Sequence, residues 1–140
     1  MNIAKYTGFF HDGSLIGIEN IGNDIVLSLE SSEINPIEIE DMKLLSKSNT
    51  LFGKLRLKNV TSIKLDHKLS TKTLRKTADD GEILSLEISQ NKIVILIEWV
   101  DFPPKPRSST TNTIELEAEH VIWENMPWAD GYKFCGTKNL

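Results

Sequence analysis

The chain predicts a mainly β fold: an antiparallel sandwich or partly open barrel of six to seven strands, with one or two short helices. Three observations lead there. Glu82–Val100 reads as a long β-hairpin turning at Gln90-Asn91. Leu15–Glu30 reads as a second hairpin turning at Gly22-Asn23. Thr113–Trp123 alternates apolar and polar residues with a period of two.

In the long hairpin, a two-residue loop sets Ile88 against Ile93, Leu86 against Ile95 and Leu84 against Ile97. Opposed residues of an antiparallel pair share a face, so six aliphatic side chains gather on one side. The other face carries Glu87 with Val94, Ser85 with Leu96 and Ile83 with Glu98. A slip of one residue would mix the two sets, so the pattern itself specifies the register. The second strand is apolar on both faces, which predicts a central strand covered on both sides. Glu98 is the one ionisable residue inside it, and if buried it is a candidate ligand-binding group.

Phe9-Phe10-His11-Asp12-Gly13-Ser14 leads into the earlier hairpin, with Asp-Gly marking a turn. Gly22 suits the positive φ of a type II′ turn, which pairs Ile18 with Leu27 and Ile16 with Leu29 and puts Glu19 and Glu30 on the opposite face. Asn35-Pro36-Ile37-Glu38 carries a cap, a first-turn proline and an acidic residue, so a helix of one or two turns ending near Met42 is expected. Leu51–Leu65 alternates, with Leu51, Leu55, Leu57, Ile63 and Leu65 on one parity. Asn59 and Thr61 interrupt it, which predicts a bulge between two strand halves. Ser70–Thr77 reads as a short polar helix or loop closed by an Asp80-Gly81 turn. Phe102-Pro103-Pro104-Lys105-Pro106 must leave the sheet, and Ser108–Asn112 continues as a mobile polar loop. Beyond Trp128 the tail is polar, Gly-rich and frayed at its end.

At 140 residues the chain has the size of a single domain, 1–140, able to bury a core. With 39% hydrophobic and 26% charged residues it falls in the globular range rather than the disordered one. No apolar run reaches the roughly 18–20 residues of a membrane span, and the first residues lack the apolar core of a secretory signal. The single cysteine, Cys135, excludes an intramolecular disulfide framework and suits a reducing compartment. These features point to a cytoplasmic protein. A net charge of −4 argues against a nucleic-acid partner. Charge is nonetheless segregated. Lys64, Lys68, Lys72, Arg75 and Lys76 face only Asp66 in one segment, whereas Glu115, Glu117, Glu119 and Glu124 make the last strand acidic. Such segments are solvated faces or a charged docking surface.

Motifs that carry chemistry are sparse. His11-Asp12 joins an imidazole to a carboxylate, a pair that can bind a metal or orient a base. The further His and Asp residues of the helical metal phosphohydrolases are missing, so the simpler reading is an Asp-Gly turn with His11 packed beside Phe10. His120 falls by parity on the apolar face of its strand, as a satisfied buried imidazole or a ligand contact. His67 follows Asp66 in the basic segment and is expected to be exposed. Three dispersed histidines and Cys135 show no metal spacing, and no nucleophile elbow or phosphate loop is present. No catalytic residue, metal or cofactor is assigned. His11, Asp12, Glu98 and His120 are the ligand-binding candidates.

Aromatic residues are the other lead. Trp99 shares the core parity of the long hairpin. Trp123 falls among the glutamates, on the outer face unless a bulge flips it. Trp128 follows Met126-Pro127 in a loop. Trp123 and Trp128 with Glu117 and Glu119 make a candidate partner-binding patch, since exposed tryptophan is enriched at binding hot spots. The competing expectation is that the tail folds Trp128 and Tyr132 back over the sheet.

Three segments carry a resemblance: Phe10-His11-Asp12-Gly13-Ser14-Leu15-Ile16; Gly53-Lys54-Leu55-Arg56-Leu57 followed by Val60 and Ile63; and Ile95-Leu96-Ile97-Glu98-Trp99. Together they resemble small uncharacterised bacterial β domains. Some of those are similar to immunity proteins of bacterial toxin systems, which bind and block one toxin. The resemblance implies a non-enzymatic protein-binding module whose partner is another protein of unassigned identity, and it carries over no catalytic residue. The alternative expectation is a small-molecule-binding β domain using the interior or mouth of a curled sheet.

Overall fold

The computed structural model describes residues 1–106 and 109–129. Seven strands follow one another: β1 (Ser14–Ile21), β2 (Asp24–Glu30), β3 (Phe52–Leu65), β4 (Lys68–Leu69), β5 (Asp80–Ser89), β6 (Lys92–Val100) and β7 (Ser109–Asn125). All pair antiparallel in the order β2-β1-β5-β6-β7-β3-β4, and a further β2–β3 pairing closes six of them into a ring. The chain is therefore a barrel, with β4 appended outside the ring. Alternation along each strand fills its interior: Leu27, Leu55, Ile83, Ile93, Ile95 and Leu116 are fully shielded. A six-stranded ring is narrow enough for side chains to occupy its whole lumen.

The two hairpins form where expected, but each carries a bulge near its open end. Ile88, Glu87, Leu86 and Ser85 face Ile93, Val94, Ile95 and Leu96, then Leu84 is skipped and Ile83 pairs with Ile97. Ile83 thereby takes the core position expected of Leu84, and Glu98 faces Glu82 instead of Ile83. In the first hairpin Ile18 faces Leu27, Ile16 is skipped and Leu15 pairs with Leu29. Gly22 has φ 61, as the turn requires. Bulges sharpen local twist, and both sit beside the shortest pairing of the ring.

That pairing is the β1–β5 contact, which consists of Ser14 opposite Glu82 and Leu15 opposite Gly81. On one side of it the edge of β5 is lined by the chain entering β1: the Asp12 amide donates to the Ile83 carbonyl at 2.8 Å and the Ile83 amide to Gly13 at 2.8 Å. On the other side the edge of β1 is lined by the 70–79 segment. There Asn20 Nδ2 donates to Leu74 O at 2.9 Å and Lys76 Nζ to Ile16 O at 3.1 Å. Leu74 is buried beneath this segment. The stretch expected as a helix or loop is thus a loop that seals the seam.

Several expectations are corrected. Asp80-Gly81 is not a turn but the start of β5, paired with Val100 and Trp99 of β6, and a Cβ on Gly81 would meet the buried Trp99 ring at 2.8 Å. Ser109–Asn112 is strand, paired with Val100–Ile97 of β6. The expected helix after Asn35 is a single 3₁₀ turn, Pro36–Glu38, followed by another at Met42–Leu44. β-Branched Ile37 and Ile39 oppose a longer helix. The longest helix, a 3₁₀ segment over Ile3–Phe10, was not expected, and it is anchored by buried Ile3 and Phe10. The outer face of β6 is not covered on both sides: β5 and β7 are its neighbours, and no other described element makes extended contact with it. Val94, Leu96 and Glu98 are partly exposed there. Tyr132, Cys135, the Gly-rich tail and Ser108 lie outside the described residues.

Candidate functional site

The His11-Asp12 pair forms the bend between the 3₁₀ helix and β1. Asp12 has φ 66, and the Gly13 amide closes the turn on Phe10 O at 2.9 Å. His11 Nδ1 lies 2.6 Å from Leu84 O, at the bulge of β5, and Nε2 lies 3.5 Å from Asp12 Oδ2. Both side chains are about two-thirds exposed, at 64% and 63%. The pair clasps the helix to the barrel and sits on open surface. Glu98 faces outward near the end of β6, between Glu82 and Thr111, and is not buried.

His120 is exposed, which corrects its expected place on the apolar face. The cause is Asn59. Its φ of 51 kinks β3, and the paired stretch of β7 turns with it, so the inward positions change from Ile114, Leu116 and Ala118 to Val121 and Trp123. His120 then points outward opposite Lys58. The kink is held by the Asn59 amide donating to Asp24 Oδ1 at 2.8 Å and by Asn59 Nδ2 donating to Glu119. His11, Asp12, Glu98 and His120 thus occupy separate places. Among the described residues no hydrogen bond or ion pair joins the His11-Asp12 turn to Glu98 or His120, and no group of three His, Cys, Asp or Glu side chains could hold a metal.

The same kink corrects the partner patch. Trp123 turns inward and packs edge-to-face on Phe10, with Nε1 donating to Asn125 Oδ1 at 3.2 Å. Glu117 and Glu119 are exposed in the middle of β7. At about 3.3 Å per residue, Glu117 is roughly 26 Å from the end of that strand. Trp128, in a 3₁₀ turn past that end, is 67% exposed and does not fold back over the sheet. The four residues form no single patch. Trp128 instead shares the end of the barrel crossed by residues 31–51, tied to β7 by Asn125 Nδ2 donating to Leu44 O at 2.9 Å. Met42 and Ile37, on the two short turns of that segment, are 62% and 87% exposed. Below them a buried hydroxyl network links Ser46 to Thr50 at 2.7 Å and Thr50 to Glu30 at 2.9 Å. Glu30, expected to face outward, is thereby buried.

Part of the acidic strand is paired with cations, most of them outside the basic segment. Lys64 stands opposite Glu115, which also lies 3.3 Å from His67 and 3.7 Å from Lys92, and Arg56 Nη2 reaches Glu124 at 2.7 Å. Asp66 and His67, both with positive φ, form the tight turn between β3 and β4. The amide of Thr113 and the side chain of Asn112 donate to the Asp66 carboxylate and hold it below the usual carboxylate range.

The opposite end of the barrel holds a concavity of about 490 Å³ that the motifs did not reveal. β3 pairs with β2 over Phe52–Leu57 and with β4 only at Lys64 and Leu65, so a wedge opens between the β1–β2 turn and β4. Ser70-Thr71-Lys72-Thr73 closes its far wall. The available signals were the polar interruption at Asn59 and Thr61 and this polar run, but their meeting depends on the unrecognised Asp66-His67 turn. Comparison with protein-family models, curated proteins and solved structures finds no match for this chain.

Proposed function

We propose that the chain is a non-enzymatic, cytoplasmic protein-binding module that, in line with its resemblance to immunity-like domains, inhibits the partner it binds. The observation that carries this reading is the exposure of Trp128, with Met42 and Ile37 at the same end of the barrel. Large apolar side chains left in water mark interaction surfaces, and tryptophan is enriched at binding hot spots. The filled interior supports a role exercised at the surface. No described helix is long and apolar enough to cross a membrane.

The test is capture of partners from a lysate of the source organism at low and moderate salt, followed by titration of the purified partner. A stoichiometric complex is expected, weakened about tenfold or more by Trp128→Ala and unaffected by Glu87→Ala on the outer face of β5. Failure to form any complex from pure components at either salt overturns the reading.

A further inference from the structure

The mouth of the barrel is a second surface with its own chemistry. Asn23, Ser62, Ser70 and Thr71 line the concavity with amide and hydroxyl groups, beside an Asn20 amide and a Thr61 hydroxyl that already donate to Leu74 O and Glu117 O, and Ile25, Val60, Ile63 and Leu69 supply apolar surface between them. A volume of about 490 Å³ falls within the range of small-molecule sites, and the lining mixes polar and apolar surface. Amides and hydroxyls on several walls match a ligand with many hydroxyls, whose carbon-bound faces pack on the aliphatic residues. No described lining residue is aromatic, so a nucleobase or other flat ring has nothing to stack on.

Charge refines the class. Lys72 lines the concavity, and Lys68 and Arg75 flank it on the same exposed segment. None of the three enters an ion pair among the described residues, although the chain carries a net charge of −4. The carboxylate of Asp24, also in the lining, does not neutralise them. It accepts the Asn59 amide at 2.8 Å and lies 3.5 Å from Lys58 Nζ.

We propose that the barrel mouth binds a small anionic polyol, a hydroxylated carbon chain or ring bearing a phosphate, with Lys72 receiving the anion and the Thr61–Ser62 and Ser70–Thr71 walls receiving the hydroxyls. This site is separate from the Trp128 end, and its occupancy does not depend on a protein partner.

Titration of the isotope-labelled full chain with glucose 6-phosphate, followed by amide chemical shifts, tests the assignment. Shifts are expected at Thr61–Ile63 and Ser70–Thr73, fading as salt rises. Lys72→Glu, on an exposed loop, weakens binding at least about tenfold, whereas Lys5→Glu at a distant exposed site leaves it intact. Parallel titrations use glucose, inorganic phosphate, adenosine monophosphate and a glutamate-rich peptide. Equal binding of glucose overturns the role of Lys72, and equal binding of inorganic phosphate overturns the role of the hydroxyls. Tighter binding of the nucleotide or of the peptide overturns the ligand class. Absence of shifts with every probe at millimolar concentration overturns the site.

Discussion

Trp123 meets Phe10 edge-to-face, with ring centroids 5.9 Å apart and planes at 81°. This contact joins the N-terminal 3₁₀ helix to the end of β7 and packs against the core an indole that strand parity alone would put in water. Phe10 is fully buried, so Phe10→Ala should cost about 3–5 kcal/mol in urea unfolding. A double-mutant cycle with Trp123→Ala should return a coupling of about 0.5–1.5 kcal/mol. Additive losses would mean that the rings do not interact.

Glycine substitutions should separate three environments. A Cβ at Gly53 would run into the carbonyl oxygen of Glu124 and lie 2.7 Å from Trp123 Cζ2, and one at Gly81 would meet the Trp99 ring. Gly53→Ala and Gly81→Ala should each destabilise by about 1–3 kcal/mol, as overpacking does. Gly8, with nothing within 4 Å of such a Cβ, should accept alanine without loss. Thermal unfolding of the three variants checks the order.

Acid should loosen the barrel through its aspartate clasps. Asp66 is held low by the Thr113 amide and then by Asn112, Asp24 chiefly by the Asn59 amide, and Asp79 by the Lys105 ammonium and then the Phe102 amide. Because each folded-state pKa lies below the unfolded value near 3.9, the stability they contribute is complete above that value. It is lost as pH falls through the lower folded pKa. Asp66→Asn should therefore lower the urea midpoint at pH 7 and converge on the wild type as the pH falls through the lowered pKa of the folded state. A constant offset at all pH values would contradict this.

The three tryptophans should differ in access to a quencher. Trp99 is 2% exposed, Trp123 is half-buried and Trp128 is 67% exposed. Trp128→Phe should remove most of the acrylamide-quenchable emission and leave the thermal midpoint nearly unchanged. Strong residual quenching would place another indole in water.

The hairpins were legible because alternation is local and a register slip carries a large penalty. The bulges at Ile16 and Leu84 were not. Each has an aliphatic neighbour, Leu15 or Ile83, equally able to face the core, and the curvature of the closed ring selects between them. Ser109–Asn112 reads as loop by composition, yet β6 supplies its pairing partners. The inward turn of Trp123 and the outward turn of His120 follow from one backbone kink at Asn59, whose effect crosses to a strand some sixty residues away. The Trp128 surface was visible as a tryptophan in a proline loop. The exposure of Met42 and Ile37 at that end was not, since their segment meets the end of β7 only once the barrel has closed.

On the proposed reading, the Trp128 end of the barrel docks a partner protein. A photo-reactive phenylalanine analogue at position 128, irradiated in cells of the source organism, tests it most directly. One discrete adduct is expected, reproduced when the adduct protein is purified and mixed with the chain, and none when the analogue stands at position 87 on the outer face of β5. No adduct at position 128, or the same adduct from both positions, would contradict it.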